Sequence, residues 1–216
     1  ARSIELQKIM FNFVGTRKFI GLLCMLTLLI IFASALFQTN HANKGFYYQE
    51  TAKPTYTISP TTPACNKKYL SYSTYNQYTK QYFMIRSYIE KLEQTSGGTL
   101  VFKKGTYKLP VNLFISSGIT FKFQDGVYIQ KTSKTGTSKM SHSNNLFQMI
   151  SHEKSKISGS VGKYGGTKNV SFIGSGTVTI DMGYHPEGCA IIMGHNYNMH
   201  FSGITFINAK GHFFEL

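Results

Sequence analysis

A five-residue phrase occurs three times in this chain, as Ser117-Gly118-Ile119-Thr120-Phe121, Lys168-Asn169-Val170-Ser171-Phe172 and Tyr197-Asn198-Met199-His200-Phe201. Each copy sets a small or amide residue before an aliphatic one, then a small or polar residue, then Phe. Each leads into a further apolar, Gly-punctuated stretch. Recurrence at a spacing of tens of residues marks a stacked repeat, in which one turn of chain buries its apolar face only against the next. Between the copies the apolar runs are short, β-branched or aromatic, and separated by Gly, Asn, Ser or Asp. They are expected at Thr99–Phe102, Val111–Ile115, Ile119–Phe123, Val127–Ile129, Leu146–Ile150, Val170–Ile173, Thr177–Ile180, Ala190–Met193, Met199–Ile207 and Phe213–Leu216. Nothing helical intervenes, which excludes alternating βαβ units. The fold class expected is all-β, a right-handed parallel β-helix. An antiparallel sandwich is the structural rival, but Gln124-Asp125-Gly126 is one of few hairpin signals.

One helix precedes the strands. Tyr82, Ile85, Ile89 and Leu92 fall at helical spacing within Asn76–Gln94, with Glu90, Lys91 and Glu93 on the polar face. Ser96-Gly97-Gly98 ends it, glycine being suited to the left-handed C-cap. Upstream, residues 38–75 are rich in Thr, Tyr, Asn and Pro without apolar period, and read as an extended linker. Phe19–Phe37 is an uncharged apolar run behind Arg17-Lys18, long enough to cross a bilayer. Residues 1–37 are therefore expected to be a signal peptide or a membrane anchor, with Met10 an alternative start and Ala33-Ser34-Ala35 a small-residue cleavage signal. Residues 76–216 are expected to form the first coils of the β-helix domain, exported and secreted or held on the outer face of the membrane. The chain stops in an apolar run, so we expect it to be the N-terminal part of a longer protein.

The net charge is +14, and from Gln38 onward 19 Lys and Arg stand against 8 Asp and Glu, a net of +11. Such a field favours polyanions: uronic-acid polysaccharides, teichoic acids, anionic lipid head groups or nucleic acid. The charges are spread through the chain with no nucleic-acid motif, so nucleic acid is not an expected partner. Cys65 and Cys189 can pair outside the cell or remain lone thiols.

The stretch Leu92–Leu216 resembles the pectate-lyase-like superfamily of right-handed parallel β-helices, including its polygalacturonase-related members. The resemblance rests on the helix running into Ser96-Gly97-Gly98-Thr99-Leu100-Val101-Phe102 and Lys104-Gly105-Thr106-Tyr107. It rests also on Gly174-Ser175-Gly176-Thr177-Val178-Thr179-Ile180-Asp181, and on Asn198-Met199-His200-Phe201-Ser202-Gly203-Ile204-Thr205-Phe206-Ile207-Asn208. The second phrase carries two residues, Val178 and Thr179, that the family phrase lacks, and Met182 separates Asp181 from Gly183. The resemblance implies that the amphipathic helix caps the first coil. It implies a glycoside hydrolase or polysaccharide lyase acting on an acidic or cell-wall glycan, with calcium as the cofactor of a lyase. The rival reading is a non-catalytic glycan-binding surface protein or adhesin.

Polygalacturonase-like members draw three Asp from coils beyond this phrase, whereas only Asp125 and Asp181 lie in the body. Lyase-like members take the proton with a basic residue, often Arg, and the one Arg of the body, Arg86, lies in the helix, where a solvated face is expected. Neither catalytic set is complete, and a fragment of this extent is expected to be inactive by itself. The remaining cluster runs from Asp181 to Glu215. Asp181, His195, His212 and Glu215 are the candidate catalytic residues, with His185, Glu187 and His200 nearby. Asp181 equally suits a turn cap, and Asn145, Asn169, Asn198 and Asn208 suit turns or amide ladders.

Overall fold

The computed structural model describes residues 52–160 and 165–216. The apolar run at 19–37, the possible start at Met10 and the linker before Ala52 lie outside them. Among the described residues no helix is long and apolar enough to cross a membrane.

Among the described residues thirteen strands are arranged in three sheets: β1 (Thr55–Ile58), β2 (Gly98–Phe102), β3 (Gly105–Leu109), β4 (Leu113–Phe114), β5 (Ile119–Phe123), β6 (Val127–Lys131), β7 (Phe147–Gln148), β8 (Lys168–Gly174), β9 (Val178–Asp181), β10 (Ile191–Ile192), β11 (Tyr197–Ser202), β12 (Thr205–Ile207) and β13 (Phe214–Glu215). The first sheet runs β1-β2-β5-β8-β11, the second β3-β6-β9-β12 and the third β4-β7-β10-β13. From β2 onward the chain visits first, second and third sheet in turn, four times over. Every strand pairs in parallel with its counterpart one circuit away. This stack of parallel sheets is compatible with a parallel β-helix. It is not the antiparallel sandwich: the antiparallel contact here is an isolated bridge between Ile150 and Gly166. Gln124-Asp125-Gly126 turns no hairpin but a corner between sheets, with Asp125 Oδ1 accepting from the Thr177 N–H of the next circuit at 2.7 Å.

The three phrases fall in register on the first sheet. Leu100, Phe121, Phe172 and Phe201 stack one above another. The Phe121–Phe172 and Phe172–Phe201 ring centroids are 4.9 and 5.4 Å apart. Tyr107, Ile129, Ile180 and Phe206 form the matching row of the second sheet, and Leu113, Phe147, Ile191 and Phe214 that of the third. Alternation within each strand turns one set inward to this shared core and the other outward.

The second residue of each phrase has its own physical reason. Gly118, Asn169 and Asn198 have φ of +75°, +55° and +53°, the left-handed region that Gly and Asn tolerate best. The Asn198 side chain donates to Asn169 Oδ1 at 2.8 Å, an amide ladder between circuits. Gly203 (φ +66°), whose backbone abuts Gly174, divides the single run expected over Met199–Ile207 into β11 and β12.

Helix α1 (Lys80–Glu93) packs against β2, β3 and β4, the first strands of the circuits. Its buried side is Tyr82, Phe83, Met84, Ile85, Ile89 and Leu92. A second helix, α2 (His152–Ser155), is a single turn in the loop after β7. The segment read as linker is part of the fold from Ala52 onward. β1 extends the first sheet, and Tyr69 in a 3-10 turn at Lys67–Ser71 is fully buried against Phe83. Thr and Pro hide this pattern, because one four-residue strand and one aromatic anchor make no apolar period.

Phe172 touches Phe121, Phe123, Phe147 and Phe201. Phe172→Ala is expected to destabilise the protein by about 3–5 kcal/mol. Tyr197→Ala, at a side chain 71% exposed, should change stability by no more than about 0.5 kcal/mol. Urea unfolding of the two variants checks this, and equal midpoints would show that the ladder does not hold the stack.

Candidate functional site

The outer face of the third sheet presents a single row of side chains that adjoins α1 and the loop after β7. Leu113, Phe147 and Ile191 are buried, so their neighbours Phe114, Gln148 and Ile192 turn outward in one row with Glu215. Asn112 donates to Gln148 Oε1 at 3.2 Å across adjacent circuits. Two shallow hollows adjoin the row, one at Phe114 and one beside Gln148 and Ile192.

The first hollow, about 250 Å³, lies between α1 and β4 and is lined by Tyr82, Arg86, Glu90, Glu93, Phe114 and His152. Arg86 is its hub. Its Nε donates to Glu90 Oε1 at 3.1 Å, one Nη to the Tyr82 hydroxyl at 3.2 Å and the other to His152 Nε2 at 2.8 Å. Glu90 also accepts from the Tyr69 hydroxyl and meets Lys68 Nζ at 3.4 Å. Burial pushes the Glu90 carboxyl up, but the Tyr69 and Arg86 hydrogen bonds outweigh it and hold the pKa below the usual carboxylate value. Glu93 accepts from Ser116, yet burial and the neighbouring Glu90 and Glu153 charges raise its pKa. Burial and the Arg86 charge lower the pKa of His152. Because Arg86 donates to Nε2, the proton of neutral His152 sits on Nδ1, which is buried without a partner among the described residues. Two carboxyls displaced in opposite directions beside a neutral imidazole form an acid–base grouping.

The second hollow, about 190 Å³, is bordered by Gln148, Ile150, Ser160, Gly166, Ile192 and Gly194. Gly166 has no room for a side chain, since a Cβ there would meet Gly194 O at 2.3 Å and His195 O at 2.5 Å. Asn196 ties this corner together by donating to Met149 O and Thr167 O at 2.8 and 3.0 Å. Both hollows are open to solvent and enclose only about 10 Å³ each, against the roughly 300–1,000 Å³ of pockets that surround small ligands. They suit a polymer lying across the face better than a molecule engulfed by it.

The residues singled out in the sequence are distributed over all three sheets. Glu215 stands on the outer row of the third sheet, where its Oε2 lies 3.2 Å from the Cys189 thiol. His195 sits in the turn beside the second hollow, with φ +52°. His212 is exposed in the turn before β13, and its carbonyl accepts from the Ala190 N–H. Asp181 ends β9 on the second sheet, accepting from the Tyr128 hydroxyl, Gly183 N–H at 2.8 Å and Asn208 Nδ2 at 2.9 Å. Burial works against its charge, yet these bonds keep its pKa low, and the same contact pushes Tyr128 up to about 12. The turn-cap role fits these contacts. His200 faces outward on the first sheet, 3.0 Å from Ser202 Oγ. His185 lies against His142, ring centroids 5.2 Å apart, and Glu187 is exposed in the same turn. Beside them Lys131, 3% exposed, donates to Pro110 O at 2.7 Å and Thr132 O at 3.1 Å. Burial brings its pKa down to about 7. It fastens the root of the polar 131–145 loop.

Arg86 is not the solvated helix residue that its sequence setting implies. Its i,i+4 spacing to Glu90 was a legible signal. The contact with His152, 66 residues away, depends on the loop returning to the helix and has no local signature. Among the described residues no three His, Cys, Asp or Glu side chains are placed to hold a metal ion. Cys65 and Cys189 are free thiols, with Cys65 held at Ser87.

Compared with protein-family models, with curated proteins and with solved structures, the chain matches none.

Arg86→Met removes the guanidinium hydrogen bonds to Glu90, Tyr82 and His152 and is expected to cost about 2 kcal/mol at neutral pH. A carboxyl whose folded pKa is lowered contributes stability above its unfolded pKa and loses it as pH falls through the folded value. The loss of stability with acid should therefore be shallower in Arg86→Met than in the parent. Urea midpoints from neutral pH down through the carboxylate range measure this, and parallel curves would refute it.

Proposed function

We propose that this chain is part of a right-handed parallel β-helix protein of the pectate-lyase-like type, with α1 as the cap of its first coil. It acts outside the cell on an acidic or cell-wall polysaccharide. The observation that carries this reading is the outward row Phe114–Gln148–Ile192–Glu215 with two shallow hollows beside it. It is an elongated, shallow surface of repeating rungs, suited to a linear polymer, on a chain with a net charge of +14. The apolar run at 19–37, with Arg17 and Lys18 before it, supports export or a membrane anchor.

As an enzyme it would be a glycoside hydrolase or polysaccharide lyase. Glu215 in this row and His195 beside the second hollow are the candidate catalytic residues nearest to it. A hydrolase needs two carboxyls across the scissile bond. Asp181 is held by three hydrogen bonds on another sheet, so Glu215 requires a different partner. The alternative is glycan binding without cleavage. It is favoured by the engagement of Asp125, Asp181, Glu90 and Glu93 in hydrogen bonds within the fold.

A depolymerisation and binding screen on the full chain separates these readings. Acidic and neutral polysaccharides are offered with and without chelator, and Glu215→Gln is run beside the parent. Oligosaccharides released from an acidic polymer, with at least a ~100-fold loss in Glu215→Gln, support the enzyme, and dependence on the chelator marks the lyase. Retention of acidic polymer without products supports the binding protein. Neither retention nor products from any polysaccharide would refute the proposal.

A further inference from the structure

The acidic residues of the described fold are not distributed evenly. Glu90, Glu93, Glu153 and Glu215 surround the third sheet and α1; Asp181 and Glu187 lie at the end of the second sheet. Asp125 is in the corner after β5, its carboxylate accepting from Thr177 N–H. None of the five strands of the first sheet contains an acidic residue. Its outward positions instead form two rows. Thr99, Thr120, Ser171 and His200 follow one another at the rung spacing, beside Val101, Lys122, Ile173 and Ser202.

Cations frame these rows. Lys122 is exposed at mid-face, and Lys168 is exposed where β8 begins. Lys53 reaches the same corner as Lys168, its ammonium beside Gly118. At the opposite corner the stem of Lys104 lies along Gly126. Tyr197, next to Lys168 in register, is 71% exposed. Lys122 and Lys168, on a sheet whose strands carry no carboxylate, next to a regular row of hydroxyls and an exposed aromatic ring, can meet a polymer's charges, hydroxyls and apolar sugar faces together.

Resting on the polysaccharide reading above, we infer that the outer face of the first sheet is the docking surface for the acidic polymer. It is separate from the row on the third sheet. The polymer runs across the rungs, its carboxylates on Lys122 and Lys168 and its hydroxyls on the Thr and Ser row. The third-sheet face carries carboxylates of its own and receives the chain only where chemistry or specific recognition takes place.

Polygalacturonate binding by the full chain tests this with two charge-matched double variants. Lys122→Glu with Lys168→Glu alters the first sheet. Lys154→Glu with Lys156→Glu alters the loop beside the third sheet by the same net charge. All four lysines are exposed, and thermal melts verify that both variants fold. The inference expects the first pair to lose at least ~10-fold in affinity and the second less than ~3-fold, with parental binding weakening as salt is raised. Equal losses would show that only net charge matters and overturn the inference, as would a parent that prefers vesicles containing phosphatidylglycerol. A parent that retains no acidic polysaccharide at all defeats the polysaccharide reading itself.

Discussion

The inward ladder of the first sheet, Leu100–Phe121–Phe172–Phe201, is the interaction on which the other elements depend. Within one circuit the strands belong to three different sheets, so none has a hydrogen-bonding partner until the next circuit is laid down. Parallel pairing of this kind demands that side chains of similar size and polarity recur at the same angular position. Each large aromatic side chain buried there contributes on the order of 1.5–3 kcal/mol, and it does so only when the ring above and the ring below are present. Stability is therefore a property of neighbouring circuits rather than of any strand. The left-handed corner before each Phe sets the angle at which the strand enters. Gly or Asn is needed there for the same reason that Phe is needed three residues later.

This coupling explains which parts could be read from the sequence. The phrase was visible because the corner and the ladder both constrain residue type, and together they implied parallel stacking before any contact was known. α1 was visible because its buried stripe has the helical period, although its first turn begins later than Asn76. β3 was passed over because Lys104-Gly105 looks like a turn and only Tyr107 and Leu109 face inward. β1 was passed over because one short Thr-rich strand against an existing sheet carries no period. What the long polar loops touch on returning to the sheets has no local signature in the sequence. The contact of His152 with Arg86 and that of His142 with His185 both come from such returns.

Charge shows the same limit from another side. Along the sequence the lysines are dispersed, and they favour a polyanion without saying which face would meet it. Folding sorts them, because parallel register places Lys122 and Lys168 on a sheet that has no acidic residue, while the helix and the later turns collect the carboxylates. The local field that a polymer meets is therefore face-specific, although the net charge is the same from every direction. Screening within about 8–10 Å at ordinary salt makes this sorting matter more than the total.

Carboxylates can be divided by what already occupies them. Asp181 receives three donors, one from a corner of its own circuit and two from circuits on either side, so it joins Tyr128, Gly183 and Asn208 into one coupled group. Its lowered pKa follows from that work, and protonating or moving it would loosen the stack. Asp125 does the same with one backbone N–H. Glu215 differs, for its neighbour is a thiol whose own pKa is raised by burial and by this contact. A neutral thiol is a weak donor and holds a carboxylate loosely. Position on the outer row and light engagement together distinguish Glu215 from the other acids named in the sequence. The phrase that most resembles a catalytic signature, ending in Asp181, is thus the one the fold uses to bind its circuits together.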